Sequence, residues 1–200
     1  TIKEIIKLNG IWFMKMLYGK NSRYEKEIFA RAKYANCVNT WDTSVTKEFN
    51  SNIKIYKLEY NLREEFYSSG KWDSNAMNRH QILTNPGGDS IKGLHILLKA
   101  MYYVKKEYPD VCLVVPGMGD GTGKIAIRNG YSKYIKKLVK ELGLVENIKF
   151  CTRLSGDEMR ENMINSNVCV VPSAIEGTSL VLRESMFLGV PTISSFRGGM

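Results

Sequence analysis

From Gln81 onward the chain alternates short apolar runs with longer stretches of helical periodicity. Gln81 to Thr84 reads as a strand, followed by a glycine-bearing loop at 86–90. Ile91 to Tyr108 puts Leu94, Leu97, Leu98, Met101 and Val104 on one helical face, with Asp89 or Ser90 as cap and Pro109 as stop. Val111 to Val115 is apolar throughout, as in a strand covered on both faces. A glycine-rich loop, Gly117 to Gly123, leads to a helix over Tyr131 to Leu142 that Gly143 ends. The alternation continues with a strand at Asn147 to Cys151, a helix at Asp157 to Asn165, and a strand at Val168 to Val171. A helix at Thr178 to Leu188 and a strand at Pro191 to Ser194 complete it. Five such steps predict an α/β fold with a doubly wound parallel sheet over residues 76–200.

Residues 1–75 do not share this rhythm. Helices are predicted at Tyr24 to Tyr34 and Trp41 to Phe49, and short strands at Ala35 to Val38 and Ile53 to Tyr56. Glu59 to Asn78 is polar and Ser/Gly-punctuated, the composition of a linker. Residues 1–75 are therefore expected to be the tail of a second α/β domain plus a linker. The chain opens on Thr1 and stops just after a strand, so both ends look cut and a fragment is expected.

Composition narrows the function classes. A hydrophobic content of 44% is that of a globular chain, not a disordered one. The net charge of +9 is spread evenly, +5 over residues 1–80 and +4 over 81–200. No basic run exceeds two residues, which argues against nucleic acid and fits an anionic small molecule or an acidic lipid surface. Cys37, Cys112, Cys151 and Cys169 lie in or beside apolar runs without CxxC spacing, so buried free thiols in a reducing compartment are expected. No signal peptide is evident, and Lys7, Asn9 and Lys15 break the apolar run Ile5 to Tyr18 too often for a membrane span.

Three places could carry chemistry. Gly117 to Lys124 fails as a P-loop, because Met118 and Ile125 stand where Gly and Ser/Thr are needed. It fails as a dinucleotide fingerprint because Thr122 replaces the third glycine. It reads as a flexible loop or as one that lets backbone approach a ligand. Gly87-Gly88 with Lys92 is the second place: two glycines at a strand end, then a cation where the helix dipole does not favour one unless an anion is bound. Exposed on the surface, Lys92 would need no such role.

The third is Pro172 to Pro191. It sets Glu176 and Glu184 eight residues apart across a Gly-Thr-Ser turn that opens a helix. Backbone N–H groups at that helix start can hold an anion, and the carboxylates can accept hydrogen bonds from hydroxyls beside it. Glu184 sits among apolar neighbours and wants a partner. Glu176 lies at a strand end, where ligands of open α/β sheets gather.

The segment P-S-x-x-E-G-x-x-x-x-x-x-E-x-M-x-x-G-x-P-x-I-x-S over Pro172 to Ser195 resembles the signature of retaining GT-B glycosyltransferases of the family 4 type. Lys92-Gly93, Tyr108-Pro109-Asp110-Val111 before Gly117, and Asn147 to Phe150 are similar to that family too. The likeness covers residues 79–200 and extends weakly over 24–67, where Trp41-Asp42 and Leu62 to Tyr67 look like the end of the acceptor-side domain.

The resemblance implies a Rossmann-like domain that binds a nucleotide-sugar donor for transfer to a glycan or lipid-linked acceptor. It implies polysaccharide biosynthesis in the cytoplasm, with the inner face of the membrane as a site of peripheral association. Glu176 would lie against the transferred sugar. Lys92 and Gly88, with Gly177 and the backbone of Thr178, Ser179 and Leu180, would hold the diphosphate. Glu184 would take the ribose, and Arg153 and Leu154 the base. No metal or cofactor beyond the NDP-sugar co-substrate is implied, since charge on the leaving diphosphate can be stabilised without one. The sequence departs from the pattern at Gly87-Gly88, where the family usually carries Gly-Arg, and at Thr178, where a bulky residue is common. The alternative is a non-catalytic nucleotide-sugar-binding or interaction module with a degenerate fold.

Overall fold

A computed structural model describes residues 11–68, 70–85 and 87–200. The first half of the run Ile5 to Tyr18, and position 86 of the predicted loop, lie outside the described residues. No helix among the described residues is long and apolar enough to cross a membrane.

The chain divides into two compact units between Tyr60 and Asn61. In the first, helix α1 (Ile11–Arg31) precedes strand β1 (Tyr34–Cys37), helix α2 (Thr40–Phe49) and strand β2 (Lys54–Lys57). β1 and β2 pair in parallel, Tyr34 against Lys54 through Cys37 against Lys57. Asn39 caps α2 by accepting the Asp42 N–H at 2.8 Å.

The second unit is a five-stranded, all-parallel sheet. Its elements are β3 (Asn78–Thr84), α3 (Leu94–Glu107), β4 (Cys112–Val115), α4 (Gly130–Glu141), β5 (Ile148–Phe150), α5 (Gly156–Ile164), β6 (Ser166–Val171), α6 (Leu180–Leu188) and β7 (Thr192–Ser194). The strand order is β5-β4-β3-β6-β7. The chain winds outward from β3 to β5, returns to β6 beside β3, and winds out the other way. The switch point therefore lies between β3 and β6, where open α/β sheets bind ligands at the carboxyl ends of the strands.

The continuous apolar runs follow from this winding, because successive residues face opposite layers. Ile82, Leu113, Val115, Ile148 and Phe150 pack with Leu98 and Met101 of α3 and Ile135 of α4. Leu83, Val114, Cys169 and Val171 pack on the other side with Met159 and Met163 of α5 and Leu188 of α6. All four cysteines are free; Cys37 and Cys169 are buried, whereas Cys112 and Cys151 are only half-buried.

Two boundaries differ from the sequence reading. Residues 61–75, read as linker and joined to the first domain, belong to the second unit. Phe66, in a 3₁₀ turn over Glu64–Tyr67, is fully buried in the α5–α6 layer. Trp72 is tied down twice: its backbone N–H donates to Leu188 at 2.9 Å, and its indole N–H to the Ser166 carbonyl at 2.8 Å. The helix predicted from Ile91 starts at Leu94 instead, after a separate 3₁₀ turn over Ser90–Lys92 capped by Asp89. Gly93 separates the two at φ 74°, and a Cβ there would run into the Pro172 carbonyl. Only glycine satisfies both conditions, so the loops after β3 and β6 touch at this residue.

Candidate functional site

The loop after β3 carries Gly87, Gly88 and Lys92, and the loop after β6 carries Ser173 to Ser179. They flank the switch point and are joined by backbone, since the Ala174 N–H donates to the Ile91 carbonyl at 2.7 Å. The Lys92 ammonium donates to Glu176 Oε1 at 2.7 Å, an ion pair bridging the two loops. Lys92 thus belongs to the short turn ahead of α3, one residue before its N-cap Gly93, where its carboxylate partner offsets the positive end of the helix dipole.

Glu176 is set by a buried polar chain. Asn85 Nδ2 donates to Ser173 Oγ at 2.9 Å, and that hydroxyl donates to Glu176 Oε1 at 2.7 Å. Asn85 and Ser173 are buried, so each needs this partner. The Ser195 hydroxyl donates in turn to the Ser173 carbonyl. The backbone beyond Glu176 is fixed by Gly199, whose N–H donates to the Glu176 carbonyl at 2.8 Å. The hydrogen bonds from Lys92 and Ser173 both fall on Oε1, and the Glu176 side chain is mostly buried.

Ser179 is the N-cap of α6, accepting the Leu182 N–H at 3.2 Å; the helix begins at Leu180, two residues after the predicted start. Gly177 and Thr178 lie in the turn between Glu176 and this cap.

Glu184 is not the open hydroxyl acceptor that the sequence suggested. Its side chain is 1% exposed and Arg63 grips it with two hydrogen bonds, Nε to Oε1 at 2.7 Å and Nη2 to Oε2 at 2.9 Å. The hydrogen bond to Glu184 holds the Arg63 guanidinium above its ordinary pKa. Arg63 is 39% exposed and lies over the Phe66 ring. Burial of a carboxylate on an amphipathic helix demands a partner, and the segment read as linker supplies it.

Arg153 and Leu154, the predicted base contacts, line a cavity of about 470 Å³ together with Arg63, Gly117, Arg128 and Val181. Gly88 lies apart from that group, in a smaller cavity of about 100 Å³ shared with Gly117 and Arg128. The structure therefore brings Lys92 to Glu176 and Arg153 to Leu154. It leaves Gly88 at the edge and turns Glu184 inward. Sequence reasoning missed Arg63, Asn85, Ser173 and Arg128. Asn85 and Ser173, polar residues at the ends of two apolar strands, were signals that could have been read.

A doubly wound sheet with paired charges bridging its switch point defines a Rossmann-like ligand-binding domain. Residues 76–200 match the model of the glycosyl transferases group 1, and the chain belongs to that family. The chain is 29% identical over 110 residues to a D-inositol 3-phosphate glycosyltransferase of Corynebacterium urealyticum, covering 55% of this chain and 25% of that protein. It superposes on a sucrose-phosphate synthase of Thermosynechococcus elongatus with a TM-score of 0.71 at 22% identity, over 88% of this chain and 43% of the other. A pneumococcal O-GlcNAc transferase in complex with UDP and GlcNAc gives a TM-score of 0.67 at 16% identity, over 88% and 33%. The chain thus spans about a quarter of the curated relative, and the structural likenesses support the GT-B fold.

Proposed function

We propose that this chain carries the donor-binding half of a glycosyltransferase that moves a sugar from an NDP-sugar to a glycan or glycolipid acceptor in polysaccharide biosynthesis, with retention and without a metal ion. The observation that carries the reading is the Lys92–Glu176 pair across the switch point, beside the start of α6. It sets a cation for a phosphate and a carboxylate for a sugar hydroxyl within one side chain of each other.

In this reading Glu176 Oε2 accepts from a hydroxyl of the transferred sugar. Lys92 and the backbone of Thr178, Ser179 and Leu180 stabilise charge on the departing diphosphate, which lowers the barrier to breaking the glycosidic bond. The base lies by Arg153 and Leu154. Glu184 orients Arg63 at the wall of that cavity, and ribose hydroxyls reach its carboxylate only when Arg63 withdraws. The group 1 membership and the glycosyltransferase relatives support transfer over a non-catalytic module. Calorimetric titration of UDP, GDP and ADP tests the donor site. One of them is expected to bind, somewhat more weakly in Lys92→Ala; no binding of any at millimolar concentration refutes the reading.

A further inference from the structure

Cations at the carboxyl edge of the sheet differ in what they face. Lys92 and Arg63 each face a carboxylate at 2.7 Å. Arg128 and Arg153 form no ion pair among the described residues. Of these two, Arg128 alone lines both cavities at this edge, the one holding Arg153 and Leu154 and the one beside Gly88.

Its placement is built rather than incidental. The Arg128 N–H donates to Ser132 Oγ at 2.9 Å, and Ser132 and Asn129 form the reciprocal cap of α4. That fixes the backbone directly ahead of the helix. The guanidinium donates to the Gly117 carbonyl at 3.2 Å and reaches the Gly119 carbonyl at 3.5 Å. Two carbonyl dipoles orient a guanidinium without neutralising it, and three of its five N–H donors stay available. The glycine loop after β4, which matched neither phosphate motif, thus serves as the mount for an arginine.

We propose that Arg128 binds the diphosphate of the donor from the β4 side, opposite Lys92; this rests on the NDP-sugar reading above. Its charge is open to an anion in a way that the carboxylate-paired charges are not. The bland alternative is that Arg128 only pins the glycine loop, and the two differ in their response to salt.

The test is titration of UDP, GDP and ADP into the chain and into Arg128→Ala, Arg128→Lys and the double variant Arg128→Ala/Gly88→Arg, with thermal melts to confirm folding. Whichever diphosphate binds the parent should bind Arg128→Ala about tenfold more weakly, or worse. Arg128→Lys should retain part of the affinity. The loss should shrink between roughly 20 mM and roughly 500 mM salt, as a screened charge contact does. A Cβ at Gly88 meets nothing within 4 Å, so Gly88→Arg has room to return a guanidinium to the same small cavity and restore binding. Unchanged affinity in Arg128→Ala, or a loss equal at both salt concentrations, overturns the assignment while leaving the donor site standing. A parent chain that binds no nucleotide overturns both.

Discussion

Replacing Arg63 with Met is the sharpest probe of the second unit. Met keeps an unbranched apolar side chain over Phe66 and removes both hydrogen bonds to Glu184, whose side chain is 1% exposed. Breaking a buried pair by deleting one partner costs about 3–5 kcal/mol, most of it the isolated charge left behind. Arg63 is itself 39% exposed, so water reaches the vacated end and the expected loss falls to about 2–3 kcal/mol. The converse change, Glu184→Gln, leaves Arg63 free to turn to water and keeps an amide oxygen as acceptor, at about 1 kcal/mol. The signs then cross in the double variant. Glu184→Gln destabilises the parent but stabilises Arg63→Met, because it removes the stranded charge. Urea unfolding followed by Trp72 fluorescence, with Trp12 and Trp41 replaced by Phe, reports on this unit. An Arg63→Met loss below about 0.5 kcal/mol, or no sign reversal, refutes the reasoning.

Three further outcomes are expected. Gly93→Ala should cost more than about 2 kcal/mol in urea unfolding, since φ is 74° and the new Cβ meets the Pro172 carbonyl; nucleotide affinity should fall with it, because the same turn carries Lys92. Ser173→Ala strands Asn85 Nδ2 in a buried site and should cost about 1–2 kcal/mol, measurable by thermal melting. Burial pushes the Cys169 thiol up from 9.0 to about 12. The folded state therefore favours the neutral thiol: that stability is complete below pH 9 and lost as pH rises towards 12. At pH 10.5 the unfolded chain should gain about 2 kcal/mol relative to pH 8, and Cys169→Ala should remove that slope from the melts.

The sheet was legible because a strand covered on both faces must be apolar along its whole length, and Val111 to Val115 and Val168 to Val171 have no other economical reading. Helix onsets were less so. The periodicity of Leu94 to Val104 runs smoothly back to Ile91, and nothing local says that Gly93 must leave the helix; the reason is the Pro172 carbonyl, 79 residues away in the chain. The same holds for the site. Glu184 among apolar neighbours announced a need for a partner without naming it. Arg63 lies 121 residues earlier in a charged stretch whose only sign of packing was Phe66 and Trp72. Composition called that stretch a linker because it counts polar residues; burial is decided by the two aromatics.

The pairing of Lys92 with Glu176 bears on how an anion gains affinity here. A phosphate reaching Lys92 shares a cation that already has a carboxylate at 2.7 Å, so only the difference between two partners counts towards binding. It also brings negative charge towards Glu176, a repulsion that grows as water leaves the site. Arg128 and Arg153, which form no ion pair among the described residues, impose no such exchange; the Arg128 guanidinium donates only to carbonyls. Net affinity for a diphosphate should therefore depend more on the unpaired arginines than on the paired lysine. In the proposed reading Lys92 acts instead by holding Glu176 Oε1, which would leave the other carboxylate oxygen to the sugar. Lys92→Ala should accordingly weaken a nucleotide sugar more than the bare nucleotide, and Arg128→Ala should weaken both alike. Calorimetry with UDP against UDP-glucose, or GDP against GDP-mannose, separates the two roles; equal losses for both ligands in Lys92→Ala would mean that the lysine acts on phosphate alone.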